Sequence, residues 1–236
     1  MLDSMRPVSV VVGAGEIGNA VYTLLSGHYP VFLYDVIHEG DSHVPECNFL
    51  HICFPYTQKV FEDEVRRYRK MFRASHVVIH STVPVGVSAS LFATHSPVRG
   101  KHYDMLRSLR TYTKFFAGPE AGAAAQIFLR IGVPVMVYRD QGTTELAKIL
   151  ETTFLGLLVR WTQVVDLECG LRGLSFTEVW DKFTSTYNEA CGEFGQPPFP
   201  VLTPIHEKIG GHCVLPNLAF LPAGFPFLEI LKGGDV

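Results

Sequence analysis

Short β-branched runs alternating with helical stretches, a glycine-patterned turn after the first run, and one long apolar helix in the second half together predict an α/β chain. The predicted architecture is a doubly wound parallel sheet followed by a smaller all-helical domain with a long linking helix. At 236 residues there is room for one full domain and a smaller second one; the expected division is residues 1–139 and 140–236. The 47% hydrophobic and 18% charged content is that of an ordinary globular protein, and a formal charge of -3 gives no electrostatic case for nucleic acid or an anionic membrane. The longest apolar runs fall far below the ~18 residues a membrane span needs. Five cysteines (Cys47, Cys53, Cys169, Cys191, Cys213) lack zinc spacing, and the N-terminus carries no signal-peptide pattern. The expected setting is a reducing cytoplasm without disulfides. The ten histidines lack ligand spacing, so they are read as polar filler and no metal is expected.

Val8 to Val12 is a run of the kind buried on both faces of a parallel sheet. It enters Gly13-Ala14-Gly15-Glu16-Ile17-Gly18 and then a helical segment ending at Gly27, which is the strand-turn-helix context that gives a glycine pattern its meaning. Gly13 permits the tight turn, Gly15 lets backbone approach a pyrophosphate, and Gly18 lets helix and strand pack closely. The helix start at Glu16 and Ile17 supplies free N–H groups to phosphate oxygens. This is the signature of a Rossmann-type, dinucleotide-binding sheet. The second strand, Val31 to Asp35, ends in an acid 17 positions after Gly18, where a carboxylate accepts hydrogen bonds from ribose hydroxyls. No arginine follows at Val36, Ile37 or His38, so NAD is expected over NADP.

The third strand, Asn48 to Phe54, ends at Pro55, and Phe54 and Pro55 are expected to line the cofactor site; Gln58 to Arg73 reads as a solvated helix. The fourth strand, His76 to His80, delivers Ser81-Thr82-Val83-Pro84-Val85-Gly86 at the edge where ligands sit in open α/β sheets. The Thr82 hydroxyl can bond cofactor or substrate, or cap the next helix. Ser90 to Lys114 is irregular, and its five fixed cations (Arg99, Lys101, Arg107, Arg110, Lys114) are read as solvated surface. Phe115 to Gly118, a helical Pro119 to Ile131 and Val133 to Tyr138 add another αβ unit. Thr143 to Leu171 is one helix whose apolar positions are too broad for a single contact, and a homodimer surface is expected there. Phe176 to Cys191 is a second helix, Gly192 to Lys208 a proline-rich loop, and Val214 to Leu231 a short helical unit. Before that unit, Gly210-Gly211-His212-Cys213 brings backbone close to something and follows it with a thiol. Cys213 is either a nucleophile or a small buried hydrophobe.

Three motifs, in this order, give the chain a resemblance to the UDP-glucose/GDP-mannose dehydrogenase family. Ser81-Thr82-Val83-Pro84 is similar to the family's STVP loop, Glu145-Leu146-Ala147-Lys148 with Phe154-Leu155 to its ELxK…FL helix start, and Gly210-Gly211-His212-Cys213 to its GGxC segment. The resemblance covers nearly all of the chain and implies the first two of the family's three domains, without the nucleotide-sugar domain. It implies an NAD-dependent oxidation of a hydroxyl or aldehyde on a sugar-like substrate. Cys213 would trap the aldehyde as a thiohemiacetal, a second hydride transfer would leave a thioester, Lys148 would stabilise the oxyanion or move its proton, and Thr82 would orient cofactor or a water. Three supporting positions depart from the family: Val98 stands for a Glu, Thr152 for an Asn and Asn217 for an Asp. Two alternatives follow. One is a two-electron dehydrogenase resembling the 3-hydroxyacid and 6-phosphogluconate enzymes, which needs no Cys213. The other is a degenerate NAD-binding or assembly protein without catalysis.

Overall fold

A computed structural model describes residues 6–35, 46–58, 60–206 and 214–232. The chain separates into two compact units, Met1–Lys148 and Ile149–Val236, with the division inside the long helix.

In the first unit, β1 (Ser9–Val12) leads to α1 (Glu16–Ser26), then β2 (Val31–Tyr34), β3 (Phe49–Ile52), α2 (Phe61–Met71), β4 (His76–Ile79), α3 (Val87–Ser90) and β5 (Thr94–His95). A 3-10 turn (His102–Asp104) precedes α4 (Met105–Thr111), β6 (Lys114–Ala117), α5 (Ala121–Arg130) and β7 (Val135–Tyr138). The strands form one sheet in the order β2-β1-β3-β4-β5-β6-β7. Strand β1 shows why both faces are covered: Val11 enters one buried cluster, with residues of α1, α4 and α5, while Val10 and Val12 enter the other, with residues of α2 and α3. That alternation is the two-residue period of a strand, and the expected doubly wound α/β fold follows from it.

The sheet is not parallel throughout. Strand β5 is parallel to β4 but antiparallel to β6, and β6 and β7 are parallel to each other. The segment Ser90 to Lys114, read as irregular, therefore contains a strand and a helix. Strand β5 is two residues long, too short to show a period, and α4 begins at an Asp104 side chain that accepts from Arg107 N at 3.2 Å. That capping aspartate is the sequence signal for α4.

The second correction concerns Lys114, which is not a solvated cation but buried at 3% exposure. As the first residue of β6 it enters the sheet, and its ammonium lies 5.6 Å from the Phe116 and Phe128 ring centroids.

The long helix α6 runs over Gln141–Leu171. In the second unit its later turns are joined by a π-helical stretch at Thr177–Lys182, α7 (Phe183–Cys191), a 3-10 turn at Gly192–Phe194, α8 (Leu215–Leu218) and α9 (Leu228–Lys232). Ile149, Leu218, Leu221, Leu228 and Leu231 form its small core. A Cβ at Gly156 would come within 2.7 Å of a Val214 methyl, so the glycine lets the last helices sit close to α6. No helix among the described residues is long and apolar enough to cross a membrane.

Candidate functional site

The glycine turn is built from two kinds of constraint. Gly13 has φ +101°, and a Cβ there would meet Phe54 N at 3.0 Å; a Cβ on Gly18 would stand 1.7 Å from the Gly13 carbonyl oxygen. Both positions must lack a side chain for the turn to close against β3 and α1. Gly15 differs, because it has ordinary extended backbone (φ −71°, ψ −171°) and an added Cβ would meet nothing within 4 Å. The fold itself does not require glycine there. The open space lies directly before the first amides of α1, which have no helical acceptor of their own.

Asn19 holds the turn from below, its Nδ2 donating to the carbonyls of Ala14 and, at 3.0 Å, Gly15. Asp35, just after β2, accepts from Ala14 N at 2.6 Å, which fixes the acid beside the glycines as the spacing predicts. A cavity of about 350 Å³ opens there, with Gly13, Asp35, Phe54, Pro55 and Thr57 in its wall. Its mostly apolar wall, with the carboxylates of Asp35 and Glu64 as its acidic groups, suits a nucleoside, a flat base bearing a hydroxylated sugar. Ile17 turns its side chain into the core, whereas Glu16 is exposed and its Oε2 lies 3.0 Å from His102 Nδ1.

The loop after β4 is fixed from three directions. Ser81 Oγ donates to the Phe54 carbonyl at 2.6 Å, and His95 Nε2 lies 3.3 Å from the Ser81 carbonyl. The buried Glu145 carboxylate accepts from Gly86 N at 2.7 Å and Ser88 N at 2.8 Å, capping the short α3 from a helix far along the chain. Thr82, half-buried, sits inside this frame. On α6, Thr144 meets His95 Nδ1 at 2.8 Å and Gln141 donates to the Ala93 carbonyl at 3.3 Å. Residues 141, 144 and 145 thus face the sheet, and Lys148, three and four positions further on, shares that helical face. Its charge is felt at both His95 and Lys114.

Beneath the ligand edge of the sheet lies a buried array that sequence reasoning missed. His51 Nδ1 is 2.9 Å from His80 Nε2, His80 Nδ1 is 2.9 Å from the Ser96 carbonyl, and Lys114 Nζ donates to the same carbonyl at 3.1 Å. Because a carbonyl only accepts, His80 carries its proton on Nδ1, and His51 donates to its Nε2. Burial, reinforced by Lys114, pushes His51 down to about 3 and His80 well below the usual imidazole value. His95 also falls to about 3, chiefly through burial. Burial lowers Lys114 to about 7, with Cys53 opposing and Lys148 adding to the fall. The signal was present in the sequence: a histidine inside the apolar run Phe49-Leu50-His51-Ile52 is more than filler. No cluster of three or more metal-ligating side chains occurs among the described residues.

Of the three departures from the resemblance, Val98 is packed in the sheet core. Thr152 and Asn217 are both buried, and Asn217 Nδ2 donates to Thr152 Oγ1 at 3.3 Å. Cys213, with Gly210, Gly211 and His212, lies outside the described residues.

No protein-family model matches the chain, and no curated protein matches it in sequence. Solved structures do. A UDP-D-ManNAc dehydrogenase from Pyrococcus horikoshii superposes with a TM-score of 0.79 at 17% identity, over 95% of this chain and 66% of that one. A UDP-N-acetyl-mannosamine dehydrogenase from Staphylococcus aureus gives 0.69 at 14% identity, over 96% and 66%. A Mycobacterium tuberculosis 3-hydroxyisobutyrate dehydrogenase gives 0.60 at 16% identity, over 82% and 72%. The chain therefore has the fold of the UDP-sugar dehydrogenases, and it spans just under two thirds of the length of the two with which it was superposed.

Proposed function

We propose that the chain is an NAD-dependent oxidoreductase acting on a hydroxyl or aldehyde group of a sugar-like substrate. The observation that carries this reading is Gly15, a glycine in unstrained backbone whose missing side chain opens onto empty space at the start of α1. Approach of a diphosphate explains that position. Bound NAD supplies the hydride acceptor. The protein's part is to seat the adenosine between Phe54, Pro55 and Asp35, to hold the diphosphate on the first amides of α1, and to keep the Thr82 loop still through Glu145 and His95. Lys148 takes up the proton of the substrate hydroxyl or stabilises the oxyanion. Cys213 attacks the aldehyde carbon in the role that its motif suggests. A homodimer is part of the reading, because Phe154, Leu155, Trp161 and Leu167 expose about half of their surface along α6.

NAD is preferred to NADP because the Asp35 carboxylate would accept from the ribose hydroxyls and repel a 2′-phosphate. Calorimetry with both cofactors tests this: NAD should bind more tightly, and Asp35→Ala should narrow the difference. Equal affinities in the parent protein would remove the assignment. Activity is tested by NADH formation on nucleotide sugars, free sugars and hydroxy acids, with Cys213→Ser expected to stop acid formation while leaving the first hydride transfer. A second reading, a dinucleotide-binding protein without turnover, is favoured by the Thr152–Asn217 pair, in which two polar groups satisfy each other in a buried setting. NAD binding with silence across the whole substrate panel would select it.

A further inference from the structure

Glu16 is the first residue of α1, immediately after Gly15. If the amides of this turn hold a diphosphate, the Glu16 carboxylate stands at the phosphate end of the ligand. A carboxylate suits a helix N-terminus in isolation. Beside two phosphate charges it is a third negative charge, and the turn itself, Gly13 to Asn19, contains no lysine or arginine to offset it.

The offsetting group comes from elsewhere in the sequence. His102 Nδ1 lies 3.0 Å from Glu16 Oε2, with side chains 54% and 45% exposed, and the two residues are 86 positions apart. The 3-10 turn His102–Asp104 thereby reaches the first turn of α1, directly after the glycines.

We infer that His102 is the charge-balancing residue of the diphosphate subsite: when protonated, its ring neutralises Glu16, so that the phosphates of a dinucleotide meet a neutral pair. The inference rests on the dinucleotide reading above and adds a residue that no glycine fingerprint contains. It also gives a definite order of affinities. Relative to the parent pair, Glu16→Gln leaves a net positive charge at the subsite, His102→Ala leaves a net negative one, and the double variant is again neutral.

Calorimetric titration with NAD in mildly acidic buffer at low salt tests the order. Glu16→Gln should bind about two- to fivefold more tightly than the parent and His102→Ala about two- to fivefold more weakly, the range expected for one exposed charge pair. The double variant should return to the parent affinity, His102→Arg should keep it, and the differences should shrink in high salt. A pair that merely braces α1 would instead weaken both single variants and the double variant alike, and that result overturns the inference. Unchanged affinity in all variants overturns it as well while leaving the dinucleotide reading intact. If the parent binds neither NAD nor NADP, both fall together.

Discussion

Replacing Lys114 by methionine should make the protein more stable at neutral pH and remove a specific pH dependence. The amine is buried and falls from 10.5 to about 7 on folding, because an ammonium is poorly solvated between Phe116 and Phe128. A lysine with a depressed folded value binds fewer protons in the folded than in the unfolded state between those two pH values. Stability therefore rises as pH increases from about 7 towards 10.5, and is lost as pH falls back through that window. Integrating from about pH 7 to 8.5 at about 1.4 kcal/mol per pH unit gives a gain of about 1.6 kcal/mol for the parent protein. For a chain of 236 residues this is about 3–6 °C in Tm. The window lies above most of the charge change of the buried histidines and below pH 9.0, the unfolded thiol value from which Cys47 and Cys53, both pushed up to about 12 by burial, begin to act. Methionine fills nearly the same volume, and the Ser96 carbonyl retains its bond from His80 at 2.9 Å. Urea unfolding of parent and Lys114→Met at three pH values in this window is the assay. The parent should gain stability with pH and the variant should be nearly flat by comparison. A flat parent, or the same slope in both proteins, refutes the argument.

Acid should act through the histidines. Since His51 and His95 fall to about 3, the stability they contribute is complete above about pH 6.5 and is lost as pH drops towards 3, so His51→Leu should lose less stability than the parent between pH 6.5 and 4.5 in the same urea assay. Gly15→Ala should fold within about 1 kcal/mol of the parent, as expected at a helix cap, yet lose dinucleotide binding. Gly18→Ala, with its Cβ 1.7 Å from a carbonyl oxygen, should fail to fold; thermal melts beside calorimetry separate the two, and a Gly15→Ala that binds NAD normally would contradict the site. Glu145→Gln replaces one of two accepting oxygens by an NH₂ group, so the amide of Gly86 or of the buried Ser88 loses its partner, at a cost of up to about 3 kcal/mol. Hydrogen exchange at Gly86 and Ser88 should accelerate, and unchanged protection there would show that the carboxylate is not what holds the loop.

What was legible in the sequence was local. The glycine turn, the strands that lead into Asp35 and Ser81, and the long helix each announce themselves within a window of a dozen residues, because β-branched runs and glycine spacing act on their own segment. What was not legible depends on partners far apart in sequence. Counting charges from Ser90 to Lys114 cannot distinguish Lys114 from Arg110, since the difference is that β6 reverses direction and takes Lys114 into the sheet. Glu145 carries no local sign that its carboxylate caps residues 57 and 59 positions earlier. The Glu16–His102 pair is hidden in the same way, although each residue lies in an unremarkable stretch.

The docking of Gln141, Thr144 and Glu145 bears on how this protein can be cut into pieces. A cut at the loop after β7, the natural place by composition, would remove the acceptor of the Gly86 and Ser88 amides, the partner of His95 and the donor to Ala93 at once. The sheet of such a fragment would be complete in its strands yet unfinished at its ligand edge. A fragment that keeps this edge intact has to carry the opening turns of α6 through Lys148, so the helix is at once the last element of the first unit and the first element of the second.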